Sequence, residues 1–239
     1  MQKIPSFSFR LLVAGLVLFP ALTGWADTPD EPVYQKSPAW ESGDNGGNGF
    51  LGWNLVANGG NPETCGFAIG DSRSLGQGVS GVNSADGRAF GLRARGDGAS
   101  VEAYRTLAEP LQPGQSLSFD LAVNFRSGNK GVDLRSAGEE QKIFNFNIGA
   151  DNYVVQEAAS GNGSVGEAYH ADTVFRITFI QTSSTGGAWQ VERLGAIKSA
   201  AKGTYTGEAG GLKFYVFGTD SSPENDMWIN YLDLKSSTD

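Results

Sequence analysis

From Ser116 to Arg126 the chain alternates without an error. Leu117, Phe119, Leu121, Val123 and Phe125 fall on one side, and Ser118, Asp120, Ala122 and Asn124 on the other. A period of two sustained over this length predicts a β-strand with one buried and one wet face. Gln112-Pro113-Gly114-Gln115 just before it reads as a tight turn. The run Ile143–Ile148 repeats the pattern, with Phe144, Phe146 and Ile148 facing a core and Asn145 and Asn147 opposite. Further short strands are predicted over 50–56, 66–70, 89–94, 100–107, 173–181, 188–193, 212–218 and 227–234, with Thr182–Gly187 as a hairpin loop. Glycine-, asparagine- and aspartate-rich turns separate them, and Asp151-Asn152 is one such turn. Beyond residue 26 no window of ten residues sustains a helical period. Ten or more short strands joined by short connections predict an all-β, antiparallel β-sandwich of the jelly-roll kind; a closed barrel satisfies the same pattern.

The N-terminus follows a different rule. Lys3 and Arg10 precede the apolar run Leu11–Phe19, and small residues at Gly24 and Ala26 follow. That order predicts a signal peptide over 1–26, cleaved after Ala26, in a run too short to be a comfortable membrane span. The expectation is a secreted or periplasmic protein with no membrane span after cleavage. Residues 27–48 form a polar leader with Pro29, Pro32 and Pro38, and 49–237 form the sandwich domain. In a chain of 239 residues, 39% of them hydrophobic, that domain is long enough to bury one sizeable core.

Cleavage would remove two of the 18 basic residues and none of the 26 acidic ones, making the net charge more negative than −8. Such a balance argues against nucleic acid as a partner, because phosphate backbones recruit basic patches. Against this background the segment RSGNKGVDLR (Arg126–Arg135) reads as a basic, glycine-broken loop, a local inversion of charge suited to acidic or hydroxyl-rich glycans. Cys65 is the single cysteine and is expected to be a buried, inert thiol.

Candidate chemistry is thin. His170 is the only histidine, and no G-x-S-x-G elbow is present, so nucleophilic triads and histidine- or cysteine-based zinc sites have almost no material. Paired carboxylates could hydrolyse a glycosidic bond, but Ser116–Arg126 carries only Asp120; Asp133, Glu139 and Glu140 are the scattered alternatives. Sugar binding asks for a ring to stack on a pyranose and for amides, carboxylates or guanidinium groups to take its hydroxyls. The wet-face candidates are Asp120, Asn124, Arg126, Asn145, Asn147 and Arg176, expected to share one shallow groove. Tyr104, Tyr153, Trp189 and Tyr215 are candidate platforms. Trp53, Trp189 and Trp228 also fit a core role, and Trp40 is expected either to be exposed or to fold back as a plug. A structural calcium ion would draw on Asp220, Glu224 and Asp226, with Asn225 beside them, or on Asp44, Asn45 and Asn48, although neither loop has EF-hand spacing and solvated turns explain both. Arg95-Gly96-Asp97 is read as a turn.

Several phrases resemble secreted bacterial jelly-roll domains similar to concanavalin-like lectin and glucanase sandwiches. They are GFLGWNL (Gly49–Leu55), GFAIGDS (Gly66–Ser72), GRAFGLRA (Gly87–Ala94), VEAYRTL (Val101–Leu107), LQPGQSLSFDLAVNF (Leu111–Phe125), IFNFNIGADNYVV (Ile143–Val155) and NYLDL (Asn230–Leu234). These are mostly turn glycines and core aromatics, so the resemblance implies the fold first and an oligo- or polysaccharide partner second. The resulting expectation is an exported, non-catalytic, lectin-like protein. The alternatives are a structural or adhesive surface protein that binds protein partners or itself, and a glycoside hydrolase or polysaccharide lyase on the same scaffold.

Overall fold

The computed structural model describes residues 26–73, 81–123, 125–139, 141–149, 152–166, 169–171 and 173–236. The predicted signal peptide (apart from Ala26), Asn124, Glu140 and Asp151 lie outside these residues. In chain order the strands are β1 (Asn54–Asn58), β2 (Cys65–Gly70), β3 (Ala89–Ala94), β4 (Ser100–Thr106) and β5 (Ser116–Val123). Then come β6 (Asn129–Ser136), β7 (Lys142–Asn147), β8 (Val154–Gln156) and β9 (Gly163–Ser164). The last five are β10 (Thr173–Ser183), β11 (Gly186–Gly195), β12 (Ser199–Thr206), β13 (Ala209–Phe217) and β14 (Met227–Lys235). They form two seven-stranded antiparallel sheets, a first in the order β1-β4-β13-β6-β7-β8-β9 and a second in the order β12-β11-β10-β5-β14-β3-β2. The antiparallel β-sandwich implied by the alternation and by the family resemblance is the architecture observed. Among the described residues no helix is long and apolar enough to cross a membrane.

The predicted inward faces meet between the sheets. Phe144 on β7 packs edge-on against Phe179 on β10 at 5.0 Å, and Phe146 packs the same way against Phe175 at 4.9 Å. Phe119 on β5 meets Phe214 on β13 at 5.1 Å. Edge-to-face pairs suit rings projecting from opposed surfaces, because the positive ring edge meets the negative face. These pairs lock β7 over β10 and β13 over β5, and so fix which residues of each sheet point outward.

Several expectations are corrected. Strand β1 starts at Asn54 rather than Phe50. The preceding residues divide: the Leu51 amide donates to Thr106 O at the end of β4 at 2.9 Å, whereas Trp53 pairs with the leader, its amide donating to Asp44 O at 2.8 Å and its carbonyl accepting from the Gly43 amide at 2.7 Å. A Cβ on Gly52 would sit 2.7 Å from Gly43 O, so the approach depends on glycine. The leader itself has little regular structure beyond a short 3-10 turn at Pro32–Tyr34, yet it supplies core. Trp40 folds back as the plug, against Phe90 (4.8 Å), Trp53 (5.1 Å) and Phe67 (5.4 Å).

The RSGNKGVDLR segment is mostly strand β6, not a loop. Lys130, Val132 and Leu134 alternate inward, and only the turn around Gly128 (φ +77°) remains irregular. Phe125, expected in the core, lies past the end of β5, is exposed, and rests on the Tyr169 ring at 5.6 Å. Cys65 is buried and free, as expected.

Candidate functional site

Register brings together residues that sequence separates widely. Across the outer face of the first sheet, Asn54, Tyr104, Lys213, Asp133, Asn145 and Gln156 are direct cross-strand neighbours in one row. Every member of this row is polar. The next row runs Val56, Glu102, Tyr215, Gly131, Asn147, Val154 and Ser164. Over these rows lies a depression of about 210 Å³, lined by Asp133, Asn145, Asn147, Lys213, Tyr215 and Phe217 among others.

Its floor is a connected polar network. The two amide hydrogens of Asn145 go to Asp133 Oδ1 and to the Tyr215 hydroxyl oxygen, both at 2.8 Å. The phenolic hydrogen of Tyr215 is thereby left as the group's donor. Burial pushes the Tyr215 phenol up to about 12, so that donor persists across the neutral range. Lys213 Nζ bridges Asp133 Oδ2 (3.1 Å) and Glu102 Oε1 (3.3 Å), and Tyr104 Oη donates to Glu102 Oε2 at 2.8 Å. Asn147 donates to Asn129 Oδ1 at 2.6 Å and accepts from the Gly149 amide at 3.0 Å. Beside the network the rings of Tyr215 and Phe217 stack at 5.4 Å with 24° between their planes. Lys142, on the far side, pairs with Glu157 at 2.8 Å. The two lysines face three carboxylates, so the depression offers hydrogen bonding without a positive field.

The sequence-predicted candidates divide between two surfaces. Tyr104, Asn145, Asn147 and Tyr215 share the first sheet's outer face. Asp120 and Arg176 sit on the outer face of the second, paired through two hydrogen bonds of 2.8 Å. The single shared groove is therefore corrected to two faces pointing in opposite directions, because β7 and β5 belong to different sheets. Asn145 is 4% exposed rather than openly wet, since the Tyr215 side chain reaches it.

The basic rim also dissolves. Lys130 points inward and donates to Phe125 O and Asn225 O, Arg126 lies over the Tyr169 ring at 5.7 Å, and Arg135 is at the far end of β6. Tyr153 and Trp189, named as platforms, are core residues 2% exposed. Lys213, Gln156, Glu102 and Phe217 are the site residues that sequence reasoning passed over. No local pattern marks them, because only register across β4, β13, β6, β7 and β8 assembles the rows.

Around the proposed calcium loop, Asp226 is tied to Arg95 at 2.6 and 3.1 Å, and burial holds its carboxyl above the usual range. Asp220 accepts from the Ser222 amide at 2.9 Å and from the Asn225 side chain, and the Ser222 hydroxyl caps the turn at Glu224. In the other loop Asp44 pairs with Lys36 at 2.7 Å, and Asn45 Oδ1 accepts from Arg105. Among the described residues no three acidic, histidine or cysteine groups converge as a metal cluster. Arg95-Gly96-Asp97 is a turn, closed by the Ala99 amide on Gly96 O.

No family model matches the chain, and no curated protein matches it. Solved structures do. One, from work on endo-acting O-glycanases of the human gut microbiota that initiate mucin breakdown, is 10% identical with a TM-score of 0.46, covering 89% of this chain and 98% of that one. A sialidase is 10% identical with a TM-score of 0.44 over 64% of this chain, which spans only 16% of that protein. An alginate lyase from a Corynebacterium species is 12% identical with a TM-score of 0.39, covering 64% and 78%. The chain's own two sheets, rather than these distant likenesses, carry the fold: it is an antiparallel β-sandwich of two seven-stranded sheets.

Proposed function

We propose that the protein is an exported, non-catalytic carbohydrate-binding sandwich whose first-sheet depression holds a neutral, hydroxyl-rich saccharide. The observation that carries this reading is the all-polar row from Asn54 to Gln156 lying beside the stacked Tyr215–Phe217 pair. Hydroxyl-rich ligands need donors and acceptors held ready, and a buried, internally bonded network supplies them with little ordering cost. Paired charges make a neutral glycan a better match than the acidic one that a basic rim would have favoured. Export rests on the N-terminal Lys3, Arg10 and apolar run ending at Ala26.

One observation favours a hydrolytic reading: Asp133, which lines the depression, and Glu102, beside it, flank one point. That point is occupied by the Lys213 ammonium, which bonds both carboxylates and fills the space where a glycosidic oxygen and a water would need to meet them. Binding without turnover is the better fit. The adhesive alternative has less support, because among the described residues only four large apolar side chains, Leu51, Phe125, Ile180 and Tyr231, are exposed.

Affinity electrophoresis through gels containing soluble polysaccharides tests the proposal. Retardation by at least one neutral polysaccharide is expected, weakened in Lys213→Ala and Asn147→Ala, with no new reducing ends released. Migration unchanged in every gel would sink it, and release of reducing ends would move the reading to the hydrolase.

A further inference from the structure

The second sheet carries a larger concavity on the opposite side of the molecule, about 450 Å³, lined by Ser118, Asp120, Arg176, Thr178, Tyr231 and Asp233 among others. Its cross-strand rows are Arg176–Asp120–Asn230 and Thr178–Ser118–Asp233. The feature that sets it apart is a bulge in β14, where the pairing with β5 slips between Asn230 and Asp233. Leu232 turns inward there and is fully buried, while Tyr231 turns out with φ +54° and is 37% exposed.

A positive φ at a bulky residue is strained and persists only where the surroundings enforce it. Here they do so at both ends of the side chain. The Tyr231 amide donates to Asn230 Oδ1 at 2.8 Å, and Asn230 is itself anchored on Val82 O and Arg88 O at 2.7 and 3.0 Å. The Tyr231 hydroxyl donates to Asn83 O at 2.6 Å. Bulges re-aim side chains, and this one presents an aromatic ring to solvent with backbone and tip both fixed. Such a ring loses little freedom on stacking against a ligand.

The groups around it are matched in charge. Asp120 is paired with Arg176, and Asp233 Oδ2 with Lys235 at 3.3 Å. Asp233 Oδ1, however, is buried without a hydrogen-bond partner. That oxygen lies beneath the surface, so what the concavity offers a ligand is the Tyr231 ring and the hydroxyls of its floor. The Ser118 and Thr178 hydroxyls stand in the same row.

We infer that this concavity is a second saccharide site, in which a neutral sugar ring stacks on Tyr231 and exchanges hydrogen bonds with the Ser118 and Thr178 hydroxyls. Its evidence is independent of the first-sheet depression, and with both sites filled the protein would hold two glycan segments on opposite faces.

The same electrophoresis, run with galactomannan, xyloglucan, mixed-linkage β-glucan and polygalacturonate, separates the two sites. Tyr231→Ala is expected to weaken retardation by a neutral polysaccharide about tenfold, the scale of a lost ring contact. Thr178→Arg, which fills the floor from the solvent side without touching the core, is expected to do the same and keeps the test valid if Tyr231→Ala misfolds. Retardation equal to that of the unmodified protein in both variants overturns the second site, whatever the first-sheet variants do. Retardation by polygalacturonate alone overturns it as well. Loss in these two variants with no effect of Lys213→Ala or Asn147→Ala supports it and overturns the first-sheet reading. No retardation by any of the four overturns both.

Discussion

Tyr215 reaches over Gly131: a Cβ added to Gly131 would stand 2.8 Å from the Tyr215 hydroxyl and 2.2 Å from Phe146 O. The missing side chain lets the phenol lie across the sheet and meet Asn145 on the strand beyond. Gly131→Ala should therefore cost about 1–3 kcal/mol, because the clashing carbonyl belongs to a paired strand and cannot yield. It should also weaken polysaccharide retardation. Urea unfolding reads the first effect and affinity gels the second; a variant as stable and as retarded as the parent would contradict this geometry.

Two guanidinium–carboxylate pairs differ in burial and should differ in worth. Arg105 and Asp27 are both fully buried at 2.6 Å, with the guanidinium over the Phe50 and Trp53 rings. Removing one partner strands the other charge, so Asp27→Ala should cost about 3–5 kcal/mol. Chemical denaturation midpoints measure it.

Arg176 and Asp120 have comparable geometry, but the arginine side chain is 52% exposed. Arg176→Ala should cost no more than about 1 kcal/mol, as solvent screens the pair. A loss as large as that of Asp27→Ala would refute the burial argument.

Lys130 gives a pH dependence with a definite sign. Burial lowers its pKa from 10.5 to about 7, against the smaller favourable fields of Asp226, itself paired with Arg95, and Asp220. Between about 7 and 10.5 the unfolded chain therefore binds the extra proton, and stability rises with pH by up to about 1.4 kcal/mol per unit. Below that window both states are protonated and the burial penalty is felt in full. A neutral amine keeps two hydrogens, enough for Phe125 O and Asn225 O. The difference in melting temperature between the protein and Lys130→Met should change across this window and be flat below it. A flat difference throughout would show that Lys130 titrates normally.

The fold was legible because alternation is local. Leu117, Phe119, Leu121, Phe144 and Phe146 could be assigned to a core from their own neighbours, and all are buried. β12 escaped notice because its small and polar residues give no hydrophobic beat. The site was legible only in part. Asn145, Asn147, Tyr104 and Tyr215 announce polar outer positions, but Asp120 and Arg176 look identical in sequence and lie on the other sheet. Lys213 joins Asp133 and Glu102 through pairings that span up to 111 residues, and no spacing rule reaches so far. Lys130 misled for the opposite reason: charge argued for the surface, whereas its parity with Val132 and Leu134 pointed inward.

Asp27, the partner of Arg105, has a consequence for processing. The predicted cleavage falls immediately before it, and its backbone amide and carbonyl both pair with Leu232. With that cleavage the sandwich would be completed by the very first residue of the mature chain, and the N-terminus would act as a length gauge. Trimming by a single residue beyond Ala26 would remove a wholly buried charge. If the chain is cleaved as predicted, N-terminal mass spectrometry of the folded protein should find Asp27 retained in every surviving molecule.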